Sequence, residues 1–242
     1  MFKILRAALM PALLCLTLAP VAAHALTTGS GRAATETRSV PEFQAIALSG
    51  SMDLVVRQGA QSVQVAADDN LLPLLETVVE SGNRGATLVV RWKKGESIHT
   101  RGKVMVTVSV PTLSALATAG AGDIRVERFD TPALRVALSG SGDARLESLT
   151  TGELDIGISG SGDVAAAGSA TTLKVRIAGS GDVRLADLKA DDVTVSIAGS
   201  GDAAVNPAKT LKVSIAGSGD VSYTGNPAVK SSVAGSGSVT RR

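Results

Sequence analysis

Six aspartates recur at near-constant spacing in the 242-residue chain, each closing a Gly-x-Gly-Asp tetrad. Successive aspartates are 20, 20, 19, 20 and 18 residues apart, and a seventh tetrad ends in Ser238. A degenerate copy, Ser49-Gly50-Ser51-Met52-Asp53, lies upstream. The repeat predicts a structural ladder of turns formed by Gly120, Gly122, Asp123, Gly140, Gly142, Asp143, Gly160, Gly162, Asp163, Gly179, Gly181, Asp182, Gly199, Gly201, Asp202, Gly217, Gly219 and Asp220.

A column of carboxylates suits three kinds of chemistry. In the structural interpretation, each aspartate accepts backbone N–H bonds in its own turn while the glycines supply positive φ, and Ser238 replaces Asp because its hydroxyl also bonds a turn. Calcium between adjacent turns is an alternative, since carboxylates suit a hard cation, but calcium-binding β-rolls repeat every nine residues. Acid–base catalysis on a polysaccharide is the third, and it needs one distinctive Asp pair beside Lys or Arg rather than identical rungs.

Other reactive residues are scarce. The chain has one Cys, two His and five aromatic residues. A single Cys cannot build a thiolate zinc cluster, and His99 is the only His far from the N-terminus. Scattered aromatics give no stacking platform for single-stranded nucleic acid. We therefore expect no catalytic residues, no metal and no cofactor, and a protein that is not an enzyme.

The residues around each tetrad predict the elements that position it. Six, four and two positions before the first Gly stand apolar residues such as Leu173, Val175 and Ile177, with polar residues between them. Alternation of period two, rich in β-branched residues, indicates a strand with one buried face. Apolar positions resume one and three residues after the Asp, as at Val183 and Leu185.

A unit of about 20 residues with two short strands cannot bury its apolar side alone, so the units must stack. Equivalent strands then lie parallel at about 4.8 Å spacing. Because crossovers between parallel strands are strongly biased to one hand, the sequence predicts an all-β protein, a right-handed parallel β-helix of about 20-residue coils, irregular at its N-terminal end.

The recurrent Ser/Ala-Gly-Ser-Gly-Asp turns resemble those of the bacterial DUF2807 family, whose description is "putative auto-transporter adhesin, head GIN domain". The segments Phe43 to Gly50, Val104 to Pro111 and Tyr223 to Pro227 match that family too. The resemblance covers residues 39–239 and implies a secreted or envelope-located β-helical protein with no assigned catalytic residues.

The chain divides into four predicted parts. Residues 1–25 carry Lys3 and Arg6 before an apolar run that ends in Ala23-His24-Ala25, the pattern of a cleaved signal peptide. Residues 26–38 are small and polar and predict a flexible leader. Residues 39–112 form the irregular N-terminal β part of the solenoid, and 113–242 the regular repeat.

Two details of the irregular part can be predicted. Asp68-Asp69-Asn70 is expected to cap a short helix over 71–76. The loop Lys93 to Lys103, with Trp92 and His99, is locally basic and is expected to be a solvated hairpin tip.

The signal peptide changes the charge balance. It holds two of the 24 basic residues and none of the 22 acidic ones, so residues 26–242 carry 22 of each. Bulk electrostatics then favour neither nucleic acid nor an anionic membrane. No later stretch is long and apolar enough to be a transmembrane segment.

These features predict an exported protein of the periplasm or cell surface, a binding or scaffold module whose partner is a protein or glycan of the cell envelope. The alternative is a carbohydrate-active enzyme, a polysaccharide lyase or hydrolase, on the same β-helix.

Overall fold

The computed structural model describes residues 26–82 and 85–242, and in that part of the chain the regular structure is almost entirely β. The irregular N-terminal strands are β1 (Leu26–Thr28), β2 (Ala33–Arg38), β3 (Ala45–Ser49), β4 (Asp53–Gln58), β5 (Ser62–Asp68), β6 (Leu75–Gly82), β7 (Gly85–Trp92), β8 (Ser97–His99) and β9 (Met105–Val110). The repeat forms β10 (Ala115–Gly120), β11 (Ile124–Gly140), β12 (Ala144–Gly160), β13 (Val164–Gly179), β14 (Val183–Gly199), β15 (Ala203–Gly217), β16 (Val221–Tyr223), β17 (Ala228–Gly235) and β18 (Val239–Arg241).

Each repeat builds one coil of a parallel β-solenoid of about six turns. Strand segments before each Gly turn, such as residues 192–199, stack in parallel register on one side, which we call the pre-turn face. Segments after the turn, such as 183–185, stack on the post-turn face. The long strands β11 to β15 bend around a third side that joins the two faces, and this arrangement confirms the predicted parallel β-helix with about 20-residue coils.

The core consists of ladders of aligned apolar side chains. Val136, Ile156, Val175 and Val195 pair in register from coil to coil and are 0–1% exposed. Phe129 begins a third ladder on the side between the two faces, opposite Leu149. The period-two alternation therefore has the predicted cause, since every second side chain enters this narrow interior.

The first coil does not lie at the end of the stack. Strand β3 pairs with β10, and β4 pairs with β11, although about 70 residues separate the partners along the chain. The segment between them extends the stack in the other direction, because β7 pairs with the outer edge of β3 and β9 with that of β4. The chain thus enters the solenoid inside the stack, builds one end and returns.

That N-terminal end changes from parallel to antiparallel pairing. Strand β6 pairs antiparallel with β7, β5 with β9, and β2 with β5. Residues 26–38, predicted as a flexible leader, instead form β1 and β2, and β1 pairs with β8. Most residues of β2 are exposed, and its alanines, threonines, Glu36 and Arg38 suit a solvent-facing edge strand, which explains why their composition resembles that of a loop.

The predicted helix over 71–76 is also wrong. Residues Leu72–Leu74 form a single 3₁₀ turn with no side-chain cap, and Leu75 already begins β6. Burial of Leu71, Leu72 and Leu75 under the end of the stack overrides the local helix signal.

The remaining boundaries of the four predicted parts stay predictions, and the predicted signal peptide lies outside the described residues. Within residues 26–82 and 85–242, no helix has the length and apolarity that crossing a membrane requires.

Candidate functional site: the aspartate column and its groove

Every coil turns sharply at its first tetrad glycine. Gly140, Gly160, Gly179, Gly199 and Gly217 have φ between 138 and 143°, a region that side chains disfavour. A Cβ on Gly199 would also overlap the carbonyl oxygen of Gly179 in the preceding coil. Glycine is required here both for the backbone conformation and for the close approach of stacked turns.

The stacked turns bond to one another through their backbones. The N–H of Ser161 donates to Gly140 O at 2.9 Å, and the N–H of Ser200 donates to Gly179 O at 2.9 Å. The serine side chains between the glycines, such as Ser161, Ser180 and Ser200, are exposed along the outer edge. The repeated Ser is therefore held by its backbone, and its hydroxyl faces solvent.

The aspartates form one continuous hydrogen-bonded column. The Oδ1 atom of each aspartate accepts the backbone N–H of the Asp in the next coil, at 2.7 to 3.1 Å. The column begins at Asp53, in the degenerate tetrad, and ends at Ser238, whose hydroxyl also donates to Asp220 Oδ1 at 2.8 Å. Bonding within the same turn, as predicted, is wrong, because the stacked turns place each carboxylate beside the N–H of the following coil.

Repulsion between neighbouring carboxylates is partly offset by cations. Arg184 donates to Asp163 Oδ2 at 2.9 Å and contacts Asp182 Oδ2 at 3.4 Å. At the base of the column, Lys103 lies 3.9 Å from Asp53 Oδ2. These ion pairs are exposed, so each contributes little on its own.

The column borders a groove of about 480 Å³ on the post-turn face. Its wall is formed by Asp182, Asp202 and Asp220, and small side chains, including Ala204 and Ser222, form its floor. Two arginines, Arg184 and Arg242, line it as well. Ala204 and Ser222 stack one coil apart, so the floor is flat.

A smaller groove of about 250 Å³ follows the same column toward the N-terminal end. Its lining is more crowded, because Arg125 and Arg145 stack in register where the larger groove has Ala204 and Ser222. In another groove, Arg57 pairs with Glu127 at 3.0 Å and the Gln58 amide donates to Pro111 O and Asp130 O.

The arrangement of side chains along the column can be compared with what the calcium and catalytic interpretations require. Within residues 26–82 and 85–242, no three His, Cys, Asp or Glu side chains converge in a way that could hold a metal ion. The Asp163–Arg184–Asp182 cluster is the Asp pair beside Arg that catalysis would need. In both carboxylates, however, Oδ1 also accepts the backbone N–H of the Asp in the next coil, as it does in the other rungs.

The basic loop is not a hairpin tip. It connects β7 to β9 at the corner where later coils have the Gly turn, and Ser97–His99 within it forms β8 beside β1. Asp68 fastens this corner, since its buried carboxylate accepts the N–H of Gly31 at 3.1 Å and of Arg101 at 3.0 Å. Sequence reasoning treated Asp68 as a helix cap, and no local pattern signalled partners about 35 residues away.

Fold and turn geometry together define a single-chain parallel β-solenoid whose coils are joined by a glycine–aspartate column. The sequence profile of the DUF2807 family, described as "Putative auto-transporter adhesin, head GIN domain", matches residues 42–227. The chain therefore belongs to this family. None of the curated proteins is significantly similar to it in sequence.

Solved structures share the fold. A putative adhesin from Bacteroides fragilis is 25% identical, with a TM-score of 0.84 over 89% of this chain and 100% of that chain. A putative lipid binding protein from Parabacteroides distasonis is 24% identical, with a TM-score of 0.73 over 90% of this chain and 100% of that one. A putative adhesin from Parabacteroides merdae is 24% identical, with a TM-score of 0.65 over 90% and 99%.

Proposed function

We propose that the protein is an exported, non-enzymatic binding module of the cell envelope, of the adhesin type that its family description names. The observation that carries this proposal is the uniformity of the aspartate column. Seven successive rungs use Oδ1 in the same way, as acceptor for the next coil. A catalytic site needs residues that differ from the repeat around them, whereas the rungs of this column share one hydrogen-bonding role that joins the coils.

We place ligand binding in the larger groove beside Asp202 and Asp220. The second oxygens of these two carboxylates have no ion-pair partner within the described residues, so they can accept hydrogen bonds from a ligand. Ser222, Ser238 and Thr240 add hydroxyl groups to the same surface. Alternating hydroxyl and carboxylate groups over a flat floor suit the hydroxyl-rich surface of a glycan or a polar protein surface.

A glycan array and a pull-down from envelope extracts test the proposal. Ala204→Arg fills the floor of the groove and should abolish binding of any captured ligand. Ala178→Arg is the matched control, because Ala178 is exposed on the pre-turn face and lies outside the groove. Binding that survives Ala204→Arg, or turnover of a polysaccharide by the wild-type protein, would contradict the proposal.

Export is the second part of the proposal and has its own test. Expressed in a bacterium with a secretion pathway, the protein should be recovered outside the cytoplasm with a mass that corresponds to a chain starting at Leu26. Recovery of the uncleaved chain in the cytoplasm would contradict it.

A further inference from the structure

The C-terminal coil presents an edge that no other strand covers within residues 26–82 and 85–242. Strand β17 pairs only with β15 there, and β18 only with β16. Val229 and Val233 continue the core ladders above Leu211 and Ile215, but they are 38% and 41% exposed, whereas the residues beneath are 0% and 2% exposed. At this end of the solenoid, the last apolar side chains of the core ladders are therefore partly exposed to solvent.

The sequence of β17 is nearly symmetric about Ser231. It runs Ala228-Val229-Lys230-Ser231-Ser232-Val233-Ala234, so the residues one, two and three positions away are Lys/Ser, Val/Val and Ala/Ala. A strand with this symmetry is complementary to a second copy of itself in antiparallel orientation. Two-fold interfaces require that kind of self-complementarity.

We propose that two copies of the protein associate end to end through β17, with a two-fold axis at Ser231. In this register Val229 lies opposite Val233 of the second copy, and the reverse pair forms by symmetry. Ser231 lies opposite its own counterpart, and Lys230 lies opposite Ser232 rather than another lysine. Both edges complete their backbone hydrogen bonds, and the apolar cross-strand pairs close the open ladder.

The opposite end of the solenoid is a poor partner for this edge. On the pre-turn face two strands, β7 and β6, lie beyond β3, whereas on the post-turn face three strands, β9, β5 and β2, lie beyond β4. A copy stacked in line on β17 would bring this extra strand against β18 before β6 reached β17. The stepped end therefore does not match the C-terminal coil, and the level two-fold arrangement does.

The buried area sets the expected strength. The last coil spans 18 residues from Asp220 to Ser238, which at roughly 3.3 Å per residue gives a perimeter of about 60 Å. With side chains, such an end buries on the order of 400 Å² per copy, or about 800 Å² in total, which is less than a standard specific interface and corresponds to weak, transient association. Residues 221–242 carry Lys230, Arg241 and Arg242 and no acidic residue, so salt should strengthen the dimer by screening their repulsion.

Sedimentation velocity over a range of concentrations and salt tests the proposal. The wild-type chain should be a weak, reversible dimer whose fraction rises with concentration between about 10 μM and 1 mM, and it should associate more tightly in higher salt. Ser232→Lys places a second lysine opposite Lys230 in each of the two symmetric cross-strand pairs and should weaken association at least about tenfold. Ser232→Glu creates two symmetric Glu–Lys230 pairs and should tighten association by about threefold to tenfold.

Matched controls lie one coil below. Ser214 stacks under Ser232 on the same face, and Ser214→Glu and Ser214→Lys should leave the dimer unchanged. In a Cys15→Ser background, Ser231→Cys should form a covalent dimer on oxidation while Ser214→Cys stays monomeric. A monomer at all concentrations, open-ended growth beyond the dimer, or equal effects at Ser214 and Ser232 would overturn the proposal. Ala204→Arg tests ligand binding separately, so the dimer proposal and the ligand-binding proposal can each be contradicted without the other.

Discussion

At the scale of single residues, each aspartate of the column is repelled by its neighbours and also forms a hydrogen bond to the next coil. Stacked carboxylates about 4.8 Å apart repel one another. Each of them is also the acceptor for a backbone N–H that the tight turn leaves without another partner, as for Asp182 Oδ1 and the N–H of Asp202 at 3.0 Å. The hydrogen bond in each coil outweighs the repulsion, because repulsion between exposed carboxylates is screened by water and salt.

Asp182→Ala should lower the free energy of unfolding by about 1 to 2 kcal/mol, the usual cost of an N–H that loses its side-chain acceptor. Asp182→Asn keeps an acceptor oxygen and should retain most of the stability. Urea denaturation measures both. Asp187→Ala is the control, since Asp187 is exposed and makes no side-chain hydrogen bond within the described residues. An Asp182→Ala protein as stable as Asp187→Ala would refute the role.

The N-terminal end offers a pH-dependent test. The hydroxyl of Ser30 donates to Asp69 Oδ1 at 2.5 Å, and this bond, together with Arg32, lowers the pKa of Asp69 below 3.8. The stabilisation is therefore present above the unfolded pKa and is lost as pH falls through the folded value. In Ser30→Ala the pKa of Asp69 should rise toward 3.8, as measured by NMR titration of the carboxyl carbon. An unchanged Asp69 titration would show that the hydroxyl is not the cause.

At the scale of elements, turn and strand positions differ in whether a residue larger than glycine can replace the glycine there. Glycines in the turn face the backbone of the preceding coil, whereas Gly157, in the middle of β12, has no atom within 4 Å of the position of a Cβ. The same residue type is thus obligatory in one place and replaceable in the other.

Gly199→Ala should destabilise the protein by about 3 kcal/mol or more, because the new methyl group adds backbone strain and overlaps Gly179 O. Gly157→Ala should be neutral or stabilise by up to about 1 kcal/mol through the unfolded chain. Thermal and urea unfolding of the two variants measure the contrast. Similar losses for both would contradict the stacked-turn geometry.

Elements that depend on a residue pattern within one coil can be predicted from the sequence, whereas elements that depend on contacts between distant coils cannot. Strand positions such as Val175 and Val195 are predictable, since each follows from alternation within one coil. The 70-residue step from β3 to β10 was signalled only by the degenerate tetrad at Asp53, and the antiparallel strands β5 and β6 carry no pattern that gives the direction of pairing. The acceptor role of each Asp toward the next coil depends on stacking, which a single turn does not reveal.

At the scale of the whole molecule, the column runs unbroken from Asp53 to Ser238 and joins the irregular and regular parts of the solenoid. Because its carboxylates are bonded to the protein itself, its integrity does not require an ion.

Calcium should therefore leave the stability of the whole molecule unchanged. Melting temperatures in millimolar calcium and in excess chelator should agree within about 1 °C, since a bound ion would raise stability by mass action. Magnesium serves as the control for ionic strength. A rise of several degrees specific to calcium would restore the ion-binding interpretation.

Amide hydrogen exchange along the column, measured by NMR, tests the structural role of the aspartates most directly. In Asp182→Ala, the amide of Asp202 should exchange at least about tenfold faster than in the wild type, because its acceptor is gone. The amide of Asp163, whose acceptor is Asp143 Oδ1, should keep its wild-type rate. Unchanged protection of Asp202 would contradict the account, since it would show that the repeated carboxylates do not hold the coils together.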